Sequence, residues 1–248
     1  PLDLPNIKGV FVSETDLTKV FVEMEKIGGK VDTNYCKEAF IIEKQKCDKA
    51  CIEFTEICGL PFVDSNKSLA QAFTKMNLGG GKTLKGNDSF TEDVLSQIKH
   101  PLASAVLKYR ESYKKATTYY QGFIYHADKE GILHANIKQA GTTTGRLSYS
   151  APNLQNIPKE EEGEYTIRKA IVPRPGCCFV EFDYKQMEYR LRVDYAEETG
   201  LVKRNNSGED VHDATAQMRG VAVTLAKTIT FGSLYGQGKK QLARANGV

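Results

Sequence analysis

The spacing of apolar residues changes character near the middle of the chain. From Leu17 to Ile27 the apolar positions keep a helical spacing, and Gly28-Gly29 ends the run. A longer helical pattern follows from Tyr35 to Cys58. Within it Cys47, Cys51, Phe54 and Cys58 fall at i, i+4, i+7 and i+11, one stripe of a helix, so these thiols read as small core residues. Gly59-Leu60-Pro61 breaks the chain, and residues 65–76 predict a short helix with a serine at its N-cap. Asn77 to Asn87, NLGGGKTLKGN, predicts a loop. After His100-Pro101 the stripe Leu102, Ala105, Val106, Tyr109, Tyr113, Ala116, Tyr120 and Phe123 predicts a helix of about 24 residues, a rod of roughly 36 Å. Gly131 then leads into a strand near Ile132 to Ile137, and a second, buried strand is expected from Cys178 to Phe182. The pattern is helical up to about residue 128 and mixed strand and helix beyond it.

Composition adds limits. With 248 residues and 40% hydrophobic positions, the chain can bury a core without disulfide staples. No apolar run approaches ~18 residues, which argues against a membrane-spanning helix. The opening PLDLPNIKGV has neither a basic start nor an apolar h-region, so no signal peptide is expected. Six cysteines without C-x2-C spacing fit a reducing compartment rather than a zinc site.

The net charge is only +3, but it is unevenly placed. Residues 65–125 carry nine Lys/Arg against four Asp/Glu, and residues 219–248 carry five Lys/Arg and no acid. Both stretches suit a polyanion, although either is also compatible with a solvated face. GGGKT is not read as a Walker loop, because Met76 stands where the first glycine is required and the preceding segment reads as helix.

Three segments carry candidate chemistry. TTTGRLSYSAPNLQNIP, residues 142–158, is turn-rich and offers Arg146, Asn153, Gln155 and Asn156 as donors for phosphates and minor-groove acceptors. In CCFVEFDYKQMEYRL, residues 177–191, Asp183 falls where the expected strand ends, a usual place for a metal-binding carboxylate. Gln186, Glu188 and Arg190 then alternate at the start of the next element. In AKTITFGSLYGQG, residues 226–238, Lys227, Phe231 and Tyr235 recur every four residues on one helix face. A cation followed by rings matches a nucleotide, although a plain amphipathic helix would show the same spacing.

Taken together, TGRL-S-x-S-x-PNLQNIP, D-Y-x-Q-x-E-x-R and K-x3-F-x3-YG resemble the motifs of the family A DNA polymerases in order and spacing. KHPLASAVLKYRESYKKATTYYQGF resembles that family's long thumb helix, SFTEDVL the segment after its thumb tip, and EMEKIGGKVD the start of its polymerase region. The resemblance implies an α+β right-hand fold: a helical thumb with lead-in helices over 1–128, a first palm segment over 129–196 and the start of the fingers over 197–248. It implies template-directed transfer of deoxynucleotides to a primer 3′-hydroxyl, with primer-template DNA and dNTP as partners, no membrane, and a cytoplasmic setting.

Residue roles follow from the same resemblance. Asp183 and the carbonyl of Tyr184 would hold Mg²⁺, two ions in the complete enzyme. Lys227 would neutralise the triphosphate, with His212 near the same phosphates. Phe231 would pack on the sugar and base and disfavour dideoxynucleotides. Glu188 would block a 2′-hydroxyl, Gln186 would belong to the nucleotide site, and Tyr235 and Gly236 would sit where the templating base enters. Gln139, Arg146, Ser148, Asn153, Gln155 and Asn156 would hold the duplex, and Lys82 and Lys85 would grip its backbone at the thumb tip. Arg190 and Tyr189 have a strong structural alternative, with Arg190 bracing the palm.

The sequence departs from the family at three places. Val223 stands where the family has an arginine four residues before the lysine of the fingers helix. Glu160 stands where an arginine usually follows NLQNIP, with Lys159 one position early. No Asp follows Asp213, so the family's second metal carboxylate is not found. This raises a rival expectation: a non-catalytic, DNA-binding half of a split polymerase that needs a second polypeptide.

Overall fold

The computed structural model describes residues 7–83, 85–158, 163–197, 202–203, 210–234, 236–239 and 243. Lys159, Glu160 and Tyr235, singled out above, lie outside the described residues. The chain divides into two compact units, Pro1–Phe179 and Val180–Val248.

The first unit is built mainly of helices. Helix α1 spans Ile7–Ile27 and starts well before the expected Leu17. It ends at Gly28, whose φ is +61°. A Cβ there would lie 2.4 Å from the Leu133 carbonyl oxygen, so only glycine lets β1 (Gly29–Lys30) approach its partner. Helix α2 spans Thr33–Cys58. The Asp32 side chain caps it by accepting from the amides of Asn34 and Tyr35, and Gly59 closes it in the left-handed region. Its buried stripe is Cys36, Ala39, Glu43, Cys47, Ala50, Phe54 and Cys58. Cys47 and Cys58 are therefore core residues as expected, whereas Cys51 is only half-buried. Burial pushes the Cys36 thiol up to about 11, with Asp32 adding to the shift.

Helix α3 spans Asn66–Lys75, with Ser65 accepting from the Ser68 amide at its start. The expected loop 77–87 holds a hairpin arm instead: β2 (Gly81–Lys82) pairs antiparallel with β3 (Asp88–Ser89), Gly81 opposite Ser89 and Lys82 opposite Asp88. Two-residue strands carry no readable period, so the hairpin was invisible in the pattern. After the short α4 (Glu92–Gln97), α5 spans Pro101–Lys114, with proline in its first turn and the His100 ring accepting from the Leu102 amide. The expected single rod is interrupted. Lys115–Gln121 is a π-helical segment, and α6 (Gly122–His126) continues beyond it.

Two apolar clusters result. One packs Phe54, Leu69, Phe73, Phe90, Leu95, Leu102 and Val106 between α2, α3, α4 and α5. The other gathers Val31, Cys36, Tyr119, Tyr120, Phe123, Leu133 and Ile167 around the π segment. Burial of each such large side chain stabilises the fold by roughly 1.5–3 kcal/mol. The remaining strands form two-stranded antiparallel ribbons: β1 with β4 (Ile132–Leu133), and β5 (Asn136–Lys138) with β6 (Ser148–Ser150). A helix-rich chain with small ribbons is the α+β class that the motifs implied.

The second unit contains α7 (Met187–Tyr195), α8 (Val211–Arg219) and α9 (Val223–Leu234), with α8 packed against α9. The buried strand expected over Cys178–Phe182 is not formed. Phe179 is 64%, Val180 75% and Phe182 90% exposed. A strand needs a neighbour to take its amides and carbonyls and to cover its apolar face, and no described residue supplies one. Among the described residues, no helix is long and apolar enough to cross a membrane.

Candidate functional site

The second unit assembles a polar and aromatic cluster from three stretches. Gln186 immediately precedes α7 with its backbone in the left-handed region (φ 54°, ψ 40°). Its side-chain Nε2 donates to Asp210 Oδ1 at 2.7 Å. The same oxygen accepts from the His212 amide at 2.8 Å, which caps α8. Partial burial pushes the Asp210 carboxyl up, but hydrogen bonds from the His212 and Asp213 amides and from Gln186, together with the His212 charge, outweigh it and hold it below the usual carboxylate range.

His212 is 4% exposed and its Nδ1 has no hydrogen-bond partner among the described residues. Its ring lies 5.4 Å from the ring of Phe231 on α9. Lys227 stands one turn before Phe231, with its side chain in solvent. Of the residues that the motifs and the resemblance single out, Gln186 and His212 are linked through Asp210, the His212 ring meets Phe231, and Lys227 stands apart in solvent. Gly236 follows, exposed and at φ +73°. Asp210 was not singled out in the sequence. The signal available was an Asp just before a helical pattern, a common N-cap arrangement.

Asp183 and Tyr184 lie in the exposed stretch leading to Gln186. Their carboxylate and carbonyl are hard oxygens open to water, the donor type that Mg²⁺ takes when it keeps part of its water shell. Among the described residues, no group of three His, Cys, Asp or Glu gathers into a ready-made metal cage. Glu188 sits half-buried in the first turn of α7, and Arg190 is half-buried two residues on.

In the first unit, the 142–158 segment folds as β6 followed by a turn of 3₁₀ helix, Leu154–Asn156. Ser148 is in β6 opposite Lys138. Asn153 caps the 3₁₀ turn by accepting from the Gln155 amide at 3.1 Å, and the Gln155 side chain donates to the Leu147 carbonyl at 3.2 Å. The Tyr119 hydroxyl, from the π segment, donates to the Asn156 carbonyl at 2.6 Å. Arg146, Asn153, Gln155 and Asn156 are left exposed on one short stretch.

Gln139 is turned toward α1. Its Nε2 donates to the Glu14 carbonyl and carboxylate at 2.9 and 2.8 Å, and its Oε1 accepts from the Thr18 hydroxyl at 2.7 Å. Lys82 is exposed on the hairpin but ion-paired across it with Asp88 at 2.5 Å. Lys85 is exposed at the hairpin turn. Arg110 carries the hairpin's root: it chelates the Asp64 carboxylate at 2.6–3.0 Å and donates to the Phe90 carbonyl.

The sequence profile of DNA polymerase family A matches residues 34–248. DNA polymerase I of Caldicellulosiruptor bescii is 36% identical over 93% of this chain, which spans 29% of that protein. Thermostable DNA polymerase I of Thermus aquaticus is 34% identical over 93% of the chain, which spans 30% of it. Among solved structures, the POL domain of Pol1 from M. smegmatis in complex with DNA primer-template and dNTP superposes with a TM-score of 0.82 at 26% identity, over 95% of this chain and 44% of that one.

Proposed function

The chain belongs to DNA polymerase family A, and from that premise we propose that it acts in template-directed transfer of deoxynucleotides from dNTP to a primer 3′-hydroxyl. The observation that carries this reading is the second unit's cluster, with Lys227 and Phe231 one turn apart on α9 and His212 against the Phe231 ring. Lys227 neutralises the triphosphate, and His212 stands near the same phosphates. Phe231 packs on the sugar and base, Glu188 excludes a 2′-hydroxyl, and Tyr235 and Gly236 border the templating base. Gln186 shapes the nucleotide side of the site. Arg146, Ser148, Asn153, Gln155 and Asn156 line the duplex. Lys82 and Lys85 contact its phosphates, and Gln139 acts there by holding α1.

In the reaction the primer oxygen bonds to the α-phosphorus, the bond to pyrophosphate breaks and the hydroxyl proton is lost. Asp183 and the Tyr184 carbonyl would hold Mg²⁺, which when bound as a pair supplies activation of the hydroxyl and stabilisation of the leaving pyrophosphate. The proposed setting is the cytoplasm of a bacterial or phage-infected cell, with an organelle as the alternative.

A second reading has an observation of its own. The exposed Phe179, Val180 and Phe182 would be covered if a second polypeptide completed this region, as in a split polymerase. Primer extension tests both readings. Extension by the chain alone supports the first, and extension only on adding a complementing polypeptide supports the second. A chain that neither binds primer-template nor extends it in either format overturns both. In whichever format extends, Asp183→Asn should abolish extension while sparing DNA binding; activity within about tenfold of the parent would contradict the metal role.

A further inference from the structure

We infer that Asp210 is a positioning residue of the nucleotide site, its Oδ1 tying the Gln186 side chain to the start of α8 and holding the backbone of His212, whose ring packs against Phe231. The inference rests on the nucleotide-site reading above. Gln186 and Asp210 are 24 positions apart in sequence, so their 2.7 Å hydrogen bond joins two separate stretches of the unit. Gln186 occupies the left-handed region, uncommon for a residue bearing a Cβ. A backbone in that conformation persists where its surroundings hold it, and the bond to Asp210 supplies such a hold.

His212 depends on the same oxygen from the other side. With Nδ1 lacking a hydrogen-bond partner among the described residues, the ring is placed by its packing on Phe231 and by the backbone that Asp210 caps. One carboxylate oxygen therefore sets two residues of the proposed site. Both bonds favour an ionised acceptor, and the carboxyl is held below its ordinary range.

The test separates capping from positioning. Asp210→Ser keeps a hydroxyl able to cap α8 but is too short to reach Gln186, whereas Asp210→Asn keeps an oxygen at the Oδ1 position. On the full chain bound to primer-template, we expect Asp210→Ser to weaken dNTP binding about five- to tenfold and to speed hydrogen exchange of the Gln186 side-chain amide about tenfold, with helicity by circular dichroism unchanged. Gln186→Ala should weaken dNTP binding by a similar factor and add nothing further in the Asp210→Ser background. Asp210→Asn should restore both readouts to within about twofold of the parent. Unchanged Gln186 exchange in Asp210→Ser, or equal dNTP affinity with and without Asp210, overturns the role alone. A parent chain that binds no dNTP overturns the function proposed above and the role with it.

Discussion

Val223 opens α9 partly exposed, one turn before Lys227. An arginine there would add a second cation on the approach to Lys227, and a charge-assisted hydrogen bond contributes about 1.5–3 kcal/mol. Val223→Arg should therefore lower KM for dNTP by about tenfold or more in a format that extends primers; unchanged single-turnover nucleotide kinetics would count against this. A second residue-scale prediction concerns His134, which sits 2.7 Å from the Glu25 carbonyl and 3.3 Å from the Asp128 carboxylate. The Glu25 carbonyl first, then Asp128, raises the His134 pKa, against partial burial and Arg174. Asp128 is held low, chiefly by the Ile132 amide, with His134 and the Glu130 amide contributing. A raised histidine contributes stability that is full below its unfolded value near 6.5 and is lost as pH rises through its folded value. The lowered Asp128 contributes above its unfolded value near 4 and loses that contribution as pH falls through its folded value. The melting temperature should thus fall as pH rises from about 6 to 8, and His134→Gln should flatten that slope in thermal melts. Neither this pair nor Asp210 stands out in the sequence, because each depends on contacts between residues whose spacing shows no periodicity.

At the scale of elements, the helices were readable and the irregularities were not. α2, α3 and the start of α5 follow from a 3.6-residue apolar period bounded by Gly59, Ser65 and His100-Pro101, visible in the sequence, while the Asp32 cap of α2 emerged only in the structure. The π segment was hidden because Ala116 and Tyr120 within it, and Phe123 just after it, still fall close to a helical stripe. Cys178–Phe182 misled in the opposite way: an apolar run reports composition, whereas a strand exists only with a partner. The β2–β3 hairpin changes the expectation for DNA grip, since Lys82 is already paired with Asp88. Asp88→Asn should release that cation. Primer-template affinity should then rise about two- to fivefold at low salt, and the dependence of log affinity on log salt should steepen by up to about 0.9. An unchanged slope in salt titrations would show that Lys82 meets no phosphate.

At the scale of the whole molecule, the thiols divide between interior and surface. Cys36, Cys47 and Cys58 are buried in the first unit, whereas Cys177 and Cys178 are exposed near its last residue, Phe179. A thiol reagent at neutral pH should therefore modify Cys177 and Cys178 within minutes and reach the buried three only on unfolding, with mass spectrometry reading the order. Rapid modification of Cys36 would contradict its burial and its pKa of about 11. The family and the motif-bearing segments could be read from the sequence because short runs of fixed spacing survive in it, while the contacts that arrange those segments required coordinates. The exposed run Phe179-Val180-Glu181-Phe182 also bears on how the protein behaves in the tube. It has no proline and only Glu181 as a charge, so its apolar side chains can bury against a second molecule. Concentrated stocks should grow cloudy before dilute ones lose their fold, and Glu181 is the gatekeeper that holds such clumping back.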